Sequence, residues 1–276
     1  MKERKKIKWK NTLLFSFIFL LIITFCVSLV IIIINIKEKY ENAKLIDNIN
    51  TLVKVEEIKD VEEDINISEG NVLNKTNYYY DYLNVSFMDV DFKALKNINE
   101  EVVGWINVLG AGVNYPYVQT TNNDYYLYHS FDKTKNDYGW IFLDYRNQNS
   151  KLDKNTIIYA HGGNSLAMFG PLKRLYDKTD WYNNFSNHYI KISTEKYNYV
   201  FKVFSLYVIK TTSDYLKIDF ESDTKYQEFL DKIKERSYYD FDSKITSFDK
   251  IITLSTCYNK KEKLVLHGKL IKEQLR

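Results

Sequence analysis

The sequence predicts a mainly β domain with a few added helices, set behind one N-terminal apolar helix. Three observations predict it. From Trp105 onward, short apolar or alternating runs recur between turn-rich stretches. Few segments show helical spacing, and one uncharged run near the N-terminus, Leu13 to Ile34, is 22 residues long. That many strands can bury their faces only in a barrel or a sandwich.

The apolar run is interrupted only by Ser16, Thr24 and Ser28, and as a helix it crosses a ~30 Å hydrocarbon layer. Met1 to Lys10 holds six basic residues and one acidic, so the positive-inside rule places the N-terminus in the cytoplasm and the rest of the chain outside. A cleaved signal peptide is the rival reading. Its apolar core would span only ~7–15 residues, and no small-x-small site follows before Lys37. The expected organisation is a basic tail over 1–12, a membrane anchor over 13–36, a helical or flexible stalk over 37–77 and a folded domain over 78–276. In the Lys/Glu/Asn/Ile-rich stalk, Ile46, Ile49, Leu52 and Val53 follow a rough helical spacing.

The chain of 276 residues is 45% hydrophobic and 16% aromatic, enough for one good-sized core. Its 39 basic and 36 acidic residues give a net charge of +3. The tail supplies +5 of this, so the remainder, with 33 basic against 35 acidic, is slightly negative. Nucleic-acid binding gains no support from that balance. No metal-ligand spacing occurs, and no cofactor is expected. Of the two cysteines, Cys26 lies in the apolar run and Cys257 in the domain, so they form no internal disulfide. An outward-facing domain with one thiol uses it for chemistry or keeps it buried.

Along the domain, Phe87, Phe92, Leu95, Ile98 and Val102 suit an amphipathic helix ahead of a strand at Trp105–Val108. Further strands are expected at Tyr115–Gln119, Gly139–Asp144, Asn155–His161, Tyr189–Ser193, Tyr199–Lys210, Lys250–Cys257 and Leu264–Ile271. Two helices interrupt them, one near Ala167–Leu175 and one near Lys225–Arg236. In the second, Tyr226, Phe229, Leu230 and Ile233 recur at i, i+3, i+4 and i+7, and Thr224 with Gln227 would form a capping box.

Cys257 ends the run Ile251-Ile252-Thr253-Leu254-Ser255-Thr256-Cys257, and His161 ends Thr156-Ile157-Ile158-Tyr159-Ala160-His161. A thiol and an imidazole at two strand ends are the parts of an acyl-transfer site: the imidazolium favours the thiolate and later protonates a leaving amine. Ninety-six residues separate the two in sequence, and a buried structural cysteine with a surface histidine is the competing reading.

Motifs over Val102–Leu270 decide for chemistry. In order they are Val103-Gly104-Trp105-Ile106, Tyr115-Pro116-Tyr117-Val118-Gln119, Tyr125-Tyr126-Leu127 and Gly139-Trp140-Ile141-Phe142-Leu143-Asp144-Tyr145-Arg146-Asn147. They continue with Ile158-Tyr159-Ala160-His161-Gly162, Met168-Phe169-Gly170-Pro171-Leu172, Thr253-Leu254-Ser255-Thr256-Cys257 and Val265-Leu266-His267-Gly268-Lys269-Leu270. The chain resembles the sortases, and class B among them. The resemblance implies an eight-stranded β-barrel, N-terminal helices and an extra helix at Lys225–Arg236 walling the substrate groove. It also implies a transpeptidase that cuts a sorting signal of secreted surface proteins after threonine. The acyl group is then held as a thioester on Cys257, with His161 as general acid/base, and passed to a peptidoglycan-precursor or pilin amine.

One position departs from the family. Lys263 stands where the resemblance implies an arginine that orients substrate and stabilises the oxyanion. A lysine keeps the charge and loses the planar fork. A sortase-fold protein that binds sorting peptides but turns over weakly or not at all is therefore the alternative, and a cysteine hydrolase is a third. Lys260 and Lys261 could also reach the site, and Arg146 is the fallback arginine. Ser255, on the same strand face as the thiol, and Thr256 are the substrate-binding candidates. His267 is expected to pack or hydrogen-bond on its strand, while His129 and His188 lie in polar stretches.

Overall fold

The strand from Ile251 to Cys257 is buried at every position before its last residue. Such a strand needs cover on both faces and a partner on each edge. The computed structural model describes residues 9–52, 55–58, 85–162 and 167–276. Along them run helix α1 (Trp9–Leu52), strands β1 (Val55–Ile58) and β2 (Phe87–Val90), helix α2 (Phe92–Ile98), and strands β3 (Val102–Val108), β4 (Val113–Val118), β5 (Phe142–Leu143) and β6 (Asn155–Tyr159). Helices α3 (Lys173–Asp177) and α4 (Thr179–Asn183), strands β7 (Tyr189–Ser193) and β8 (Tyr197–Lys210), helix α5 (Asp223–Glu235), and strands β9 (Ile251–Cys257) and β10 (Glu262–Leu275) follow. Eight of the described strands close into a barrel in the order β10-β8-β7-β3-β4-β5-β6-β9. Closure leaves none of those eight as a free edge, and it decides the barrel-or-sandwich choice for the barrel.

The chain divides into two units at Ile46/Asp47. Helix α1, apolar and exposed over Leu13–Ile34, is long and apolar enough to cross a membrane, with mean hydropathy 3.4. It runs on through residues 37–52 of the expected stalk. Beyond it the stalk reading included no strand, yet β1 pairs antiparallel with β2, Val55 opposite Val90 and Ile58 opposite Phe87. The start of the folded domain near Tyr78 and most of the basic tail lie outside the described residues.

Helix α5 buries the expected stripe of Tyr226, Phe229, Leu230 and Ile233 against Phe204, Tyr207, Ile251 and Val265 of the barrel, each side chain worth about 1.5–3 kcal/mol. Its cap is Ser222, whose Oγ accepts from the Lys225 amide at 3.2 Å, in place of the Thr224–Gln227 box. Tyr226 donates its hydroxyl to the Lys154 carbonyl at 2.8 Å, tying the helix to the start of β6. Trp140 is fully buried, and its indole N–H donates to the Pro116 carbonyl at 2.9 Å, as a buried indole requires.

Two elements depart from expectation for local reasons. The strand expected over Gly139–Asp144 shrinks to Phe142–Leu143 because Gly139 has φ +58° and the Trp140 amide bonds the Tyr126 carbonyl, which breaks the extended run. The helix expected from Ala167 begins only as a tight turn over Gly170–Leu172 leading into α3. Met168 sits at φ +54°, and Pro171 disfavours helical backbone at the residue before it.

Candidate functional site

Strand β9 lies between β6 and β10 in the barrel. It runs parallel to β6, Asn155 opposite Ile251 through Tyr159 opposite Ser255, and antiparallel to β10, Lys263 opposite Cys257. Parallel neighbours end at the same rim, and an antiparallel neighbour begins there. The C-terminal ends of β6 and β9 and the N-terminal end of β10 therefore meet, which brings His161, Cys257 and Lys263 to one rim of the barrel.

The turn between β9 and β10 fixes the last pairing. The Tyr258 amide donates to the Glu262 carbonyl at 2.9 Å, and Asn259 Oδ1 accepts from the Lys261 and Glu262 amides at 2.8 and 2.9 Å, the local bonding that suits asparagine to turns. Lys263 Nζ then lies 3.0 Å from Cys257 Sγ. Lys260 and Lys261 are exposed, and Lys263 is the cation that hydrogen-bonds the thiol sulfur among the described residues.

Past Tyr159 the ladder loosens, the Ala160 amide reaching the Ser255 carbonyl at 3.4 Å. The backbone at Gly162 passes so close to β9 that a Cβ there would stand 2.1 Å from the Cys257 carbonyl oxygen and 2.5 Å from Thr256 Oγ1. Thr256 Oγ1 donates to the Ala160 carbonyl at 2.8 Å and pins the histidine segment to the cysteine strand. His161 Nε2 lies 2.7 Å from the Leu127 carbonyl. A carbonyl can only accept, so in the neutral ring Nε2 carries the proton and Nδ1 is the acceptor.

Ser255 and Thr256, expected at the substrate groove, are both buried, and their hydroxyls are spent inside the protein. Ser255 Oγ pairs with the Tyr215 hydroxyl at 3.0 Å, and Thr256 holds Ala160. Beneath them Thr253 Oγ1 donates to Asn155 Oδ1 at 2.6 Å and meets His267 Nδ1 at 2.9 Å, while His267 Nε2 meets the Tyr207 hydroxyl at 3.0 Å. His267 is thus the packed, hydrogen-bonded residue expected. Burial, helped by the Arg236 charge, lowers its pKa to about 3. His188, expected in a polar stretch, is instead buried beside Trp181 and Phe241. Its Nε2 bonds the Tyr182 carbonyl at 2.8 Å, and burial brings its pKa down to about 4. His129 Nδ1 bonds the Tyr125 carbonyl at 2.8 Å.

Arg146 is not the missing arginine. Its guanidinium grips Asp144 at 2.9 and 2.7 Å and reaches the Leu216 carbonyl at 3.2 Å, the loop-tying role expected. Burial works against the Asp144 charge, yet the bonds from Arg146 and Tyr159 hold its carboxyl below the usual range. Arg146, Leu216, Lys217, Lys225, Phe229 and Lys232 help line a cavity of about 820 Å³ walled by α5. Cys257, His161 and Lys263 are not among its lining residues.

The contributions of Leu127, Gly139, Gly162 and Tyr215 were not among the sequence candidates. A glycine directly after His161 is the one signal that a close backbone approach follows the histidine.

The family model described as the sortase domain matches residues 117–271. Sortase B of Listeria monocytogenes serovar 1/2a (strain ATCC BAA-679 / EGD-e) is 36% identical over 185 residues, covering 66% of this chain and 74% of that protein. Sortase B of Staphylococcus aureus (strain NCTC 8325 / PS 47) is 39% identical over 186 residues, covering 66% and 75%. The structure of a Staphylococcus aureus sortase B–substrate complex superposes with a TM-score of 0.61 at 36% identity, covering 66% of this chain and 84% of that one. With this match over more than half its length and an eight-stranded barrel in common, the chain belongs to the sortase family, and its relatives are class B sortases.

Proposed function

We propose that this chain is a membrane-anchored cysteine transpeptidase acting on the sorting signal of secreted surface proteins. The observation that carries the reading is the 3.0 Å contact between Lys263 Nζ and Cys257 Sγ, at a rim that β6 and β9 share with His161. A cation on the sulfur favours the thiolate, the form that attacks. The thiolate adds to the carbonyl carbon of the signal's threonine, and Lys263 offsets the oxyanion charge that develops there. His161 gives a proton to the leaving amine, and the acyl group remains as a thioester on Cys257. His161 then takes a proton from an incoming peptidoglycan-precursor or pilin amine, whose attack releases the product. The structure of a Staphylococcus aureus sortase B–substrate complex supports a substrate-binding role for this fold. Helix α1 anchors the chain, with the N-terminus cytoplasmic and the barrel outside.

A weaker reading, a sortase-fold protein that binds signals without turnover, rests on the lysine at position 263, whose single ammonium cannot hold an oxyanion with two donors in a plane. The test is the full chain in detergent micelles, incubated with a library of sorting-signal peptides with and without triglycine and read by intact mass. A hydroxylamine-labile adduct that Cys257→Ala abolishes, resolved to a triglycine-ligated product, is the expected result. Adducts resolved only to water in the presence of triglycine would make the protein a hydrolase. No adduct with any peptide would leave the binding reading.

A further inference from the structure

We infer that Lys263 is itself an acyl acceptor: an acyl group held as a thioester on Cys257 transfers to the Lys263 amine, leaving an amide that ends turnover. The inference rests on the reading of Cys257 as the thioester-forming nucleophile.

The geometry is set by the β9–β10 pairing. Lys263 and Cys257 are directly opposed across antiparallel strands, and Nζ lies 3.0 Å from Sγ. An acyl carbon one bond from that sulfur can swing into the ~3–3.5 Å near-attack range of the amine. Among the described residues Nζ bonds Cys257 Sγ and pairs with no carboxylate, so no ion pair draws it away. Both residues are partly exposed, so an acyl donor can reach the sulfur. An arginine at this position would stay protonated and could not attack, whereas a lysine amine becomes nucleophilic on losing its proton.

The step balances without an oxidant or co-reactant. The Lys263 ammonium first gives one proton to solvent; the Nζ lone pair then adds to the thioester carbonyl carbon, and the tetrahedral intermediate collapses with cleavage of the C–S bond. Sulfur leaves with that electron pair and takes up the proton lost from nitrogen. The products are a free Cys257 thiol and a secondary amide on Lys263, and the greater stability of the amide makes the transfer one-way. The amide also deletes the positive charge beside the sulfur, so the acylated protein loses the feature that activates its own nucleophile. An external amine must therefore outrun Lys263. Scarcity of acceptor increases self-acylation.

The test uses the full chain in detergent micelles and S-phenyl thioacetate, an acetyl donor that needs no sorting motif. Hydroxylamine treatment, which cleaves thioesters and spares amides, is followed by peptide mass mapping. Wild type should first carry a labile acetyl on Cys257 and then a resistant one on Lys263. The excess over the exposed neighbours Lys260 and Lys261 should be on the order of a hundredfold, a small part of what proximity can supply. In Cys257→Ala, Lys263 should fall to the level of Lys260, and in Lys263→Arg the acetyl should stay labile on Cys257. A labile Cys257 acetyl in wild type with Lys263 labelled no more than Lys260 would overturn the inference and leave Cys257 as the nucleophile. Absence of any labile acetyl on Cys257 in Lys263→Arg, where it cannot move on, would remove the nucleophile reading, and the inference with it.

Discussion

His161 Nε2 and the Leu127 carbonyl lie 2.7 Å apart although 34 residues separate them, and Gly139 is what lets them meet. A Cβ on Gly139 would stand 2.8 Å from the Leu127 carbonyl oxygen and 3.0 Å from His161 Cδ2, on a residue with φ +58°. Gly139→Ala should therefore destabilise the fold by about 1–2 kcal/mol from the backbone conformation alone. It should also lower kcat more than it raises KM, because the imidazole and its carbonyl are pushed apart. Steady-state kinetics beside urea unfolding checks this, and unchanged kcat in the folded variant would show that the Leu127 contact does not set the ring.

Lys263→Met keeps most of the stem and removes the charge from Cys257 Sγ. Acylation of Cys257, followed as thiophenol release from S-phenyl thioacetate, should slow by on the order of 10²–10³, with stability within about 0.5 kcal/mol of wild type, as for a partly exposed position. Lys263→Arg should match or exceed wild type. A Met variant as fast as wild type would mean that the ammonium does not activate the thiol.

Thr256→Val preserves shape and deletes the bond from Oγ1 to the Ala160 carbonyl. The buried carbonyl is then unpaired, at a cost of about 1–3 kcal/mol, or roughly 2–4 °C of Tm for each kcal/mol in a domain of this size. Because Ala160 precedes His161, activity should fall as well. A variant with wild-type Tm and activity would show that the strand ladder alone positions the histidine.

Acid should weaken the fold before most carboxylates titrate. His267 and His188 are neutral in the folded chain, with pKa values lowered by burial to about 3 and about 4, whereas an unfolded histidine titrates near 6.5. Their contribution is full above pH 6.5 and is lost as pH falls towards the folded values, at about 1.4 kcal/mol per pH unit for each histidine. Urea unfolding between pH 5 and 6.5 should show this slope, and His267→Gln should reduce it by about one histidine's share. An unchanged slope would mean that His267 is charged in the fold.

Local chemistry was legible because it repeats within a few residues. The uncharged run Leu13–Ile34, the helical stripe Tyr226, Phe229, Leu230 and Ile233, and strand Tyr189–Ser193 are periodicities that a linear reading detects. The helix expected from Ala167 and the strand expected from Gly139 failed where a single left-handed residue overrode the local pattern. The strand Val55–Ile58 lay in a segment too polar to suggest one; its partner Phe87–Val90 supplies the pairing.

By itself the sequence determined that a thiol and an imidazole close two apolar strands and that a lysine follows the thiol by six residues. Only the tertiary structure decided what these groups touch. Closing the barrel set β9 parallel to β6 and antiparallel to β10, which put Lys263 Nζ on Cys257 Sγ, tied the Ser255 and Thr256 hydroxyls to Tyr215 and Ala160 and gave His161 the Leu127 carbonyl. Strand register is a long-range choice, made by the combined burial of many side chains, and a slip of one residue would turn every side chain to the opposite face.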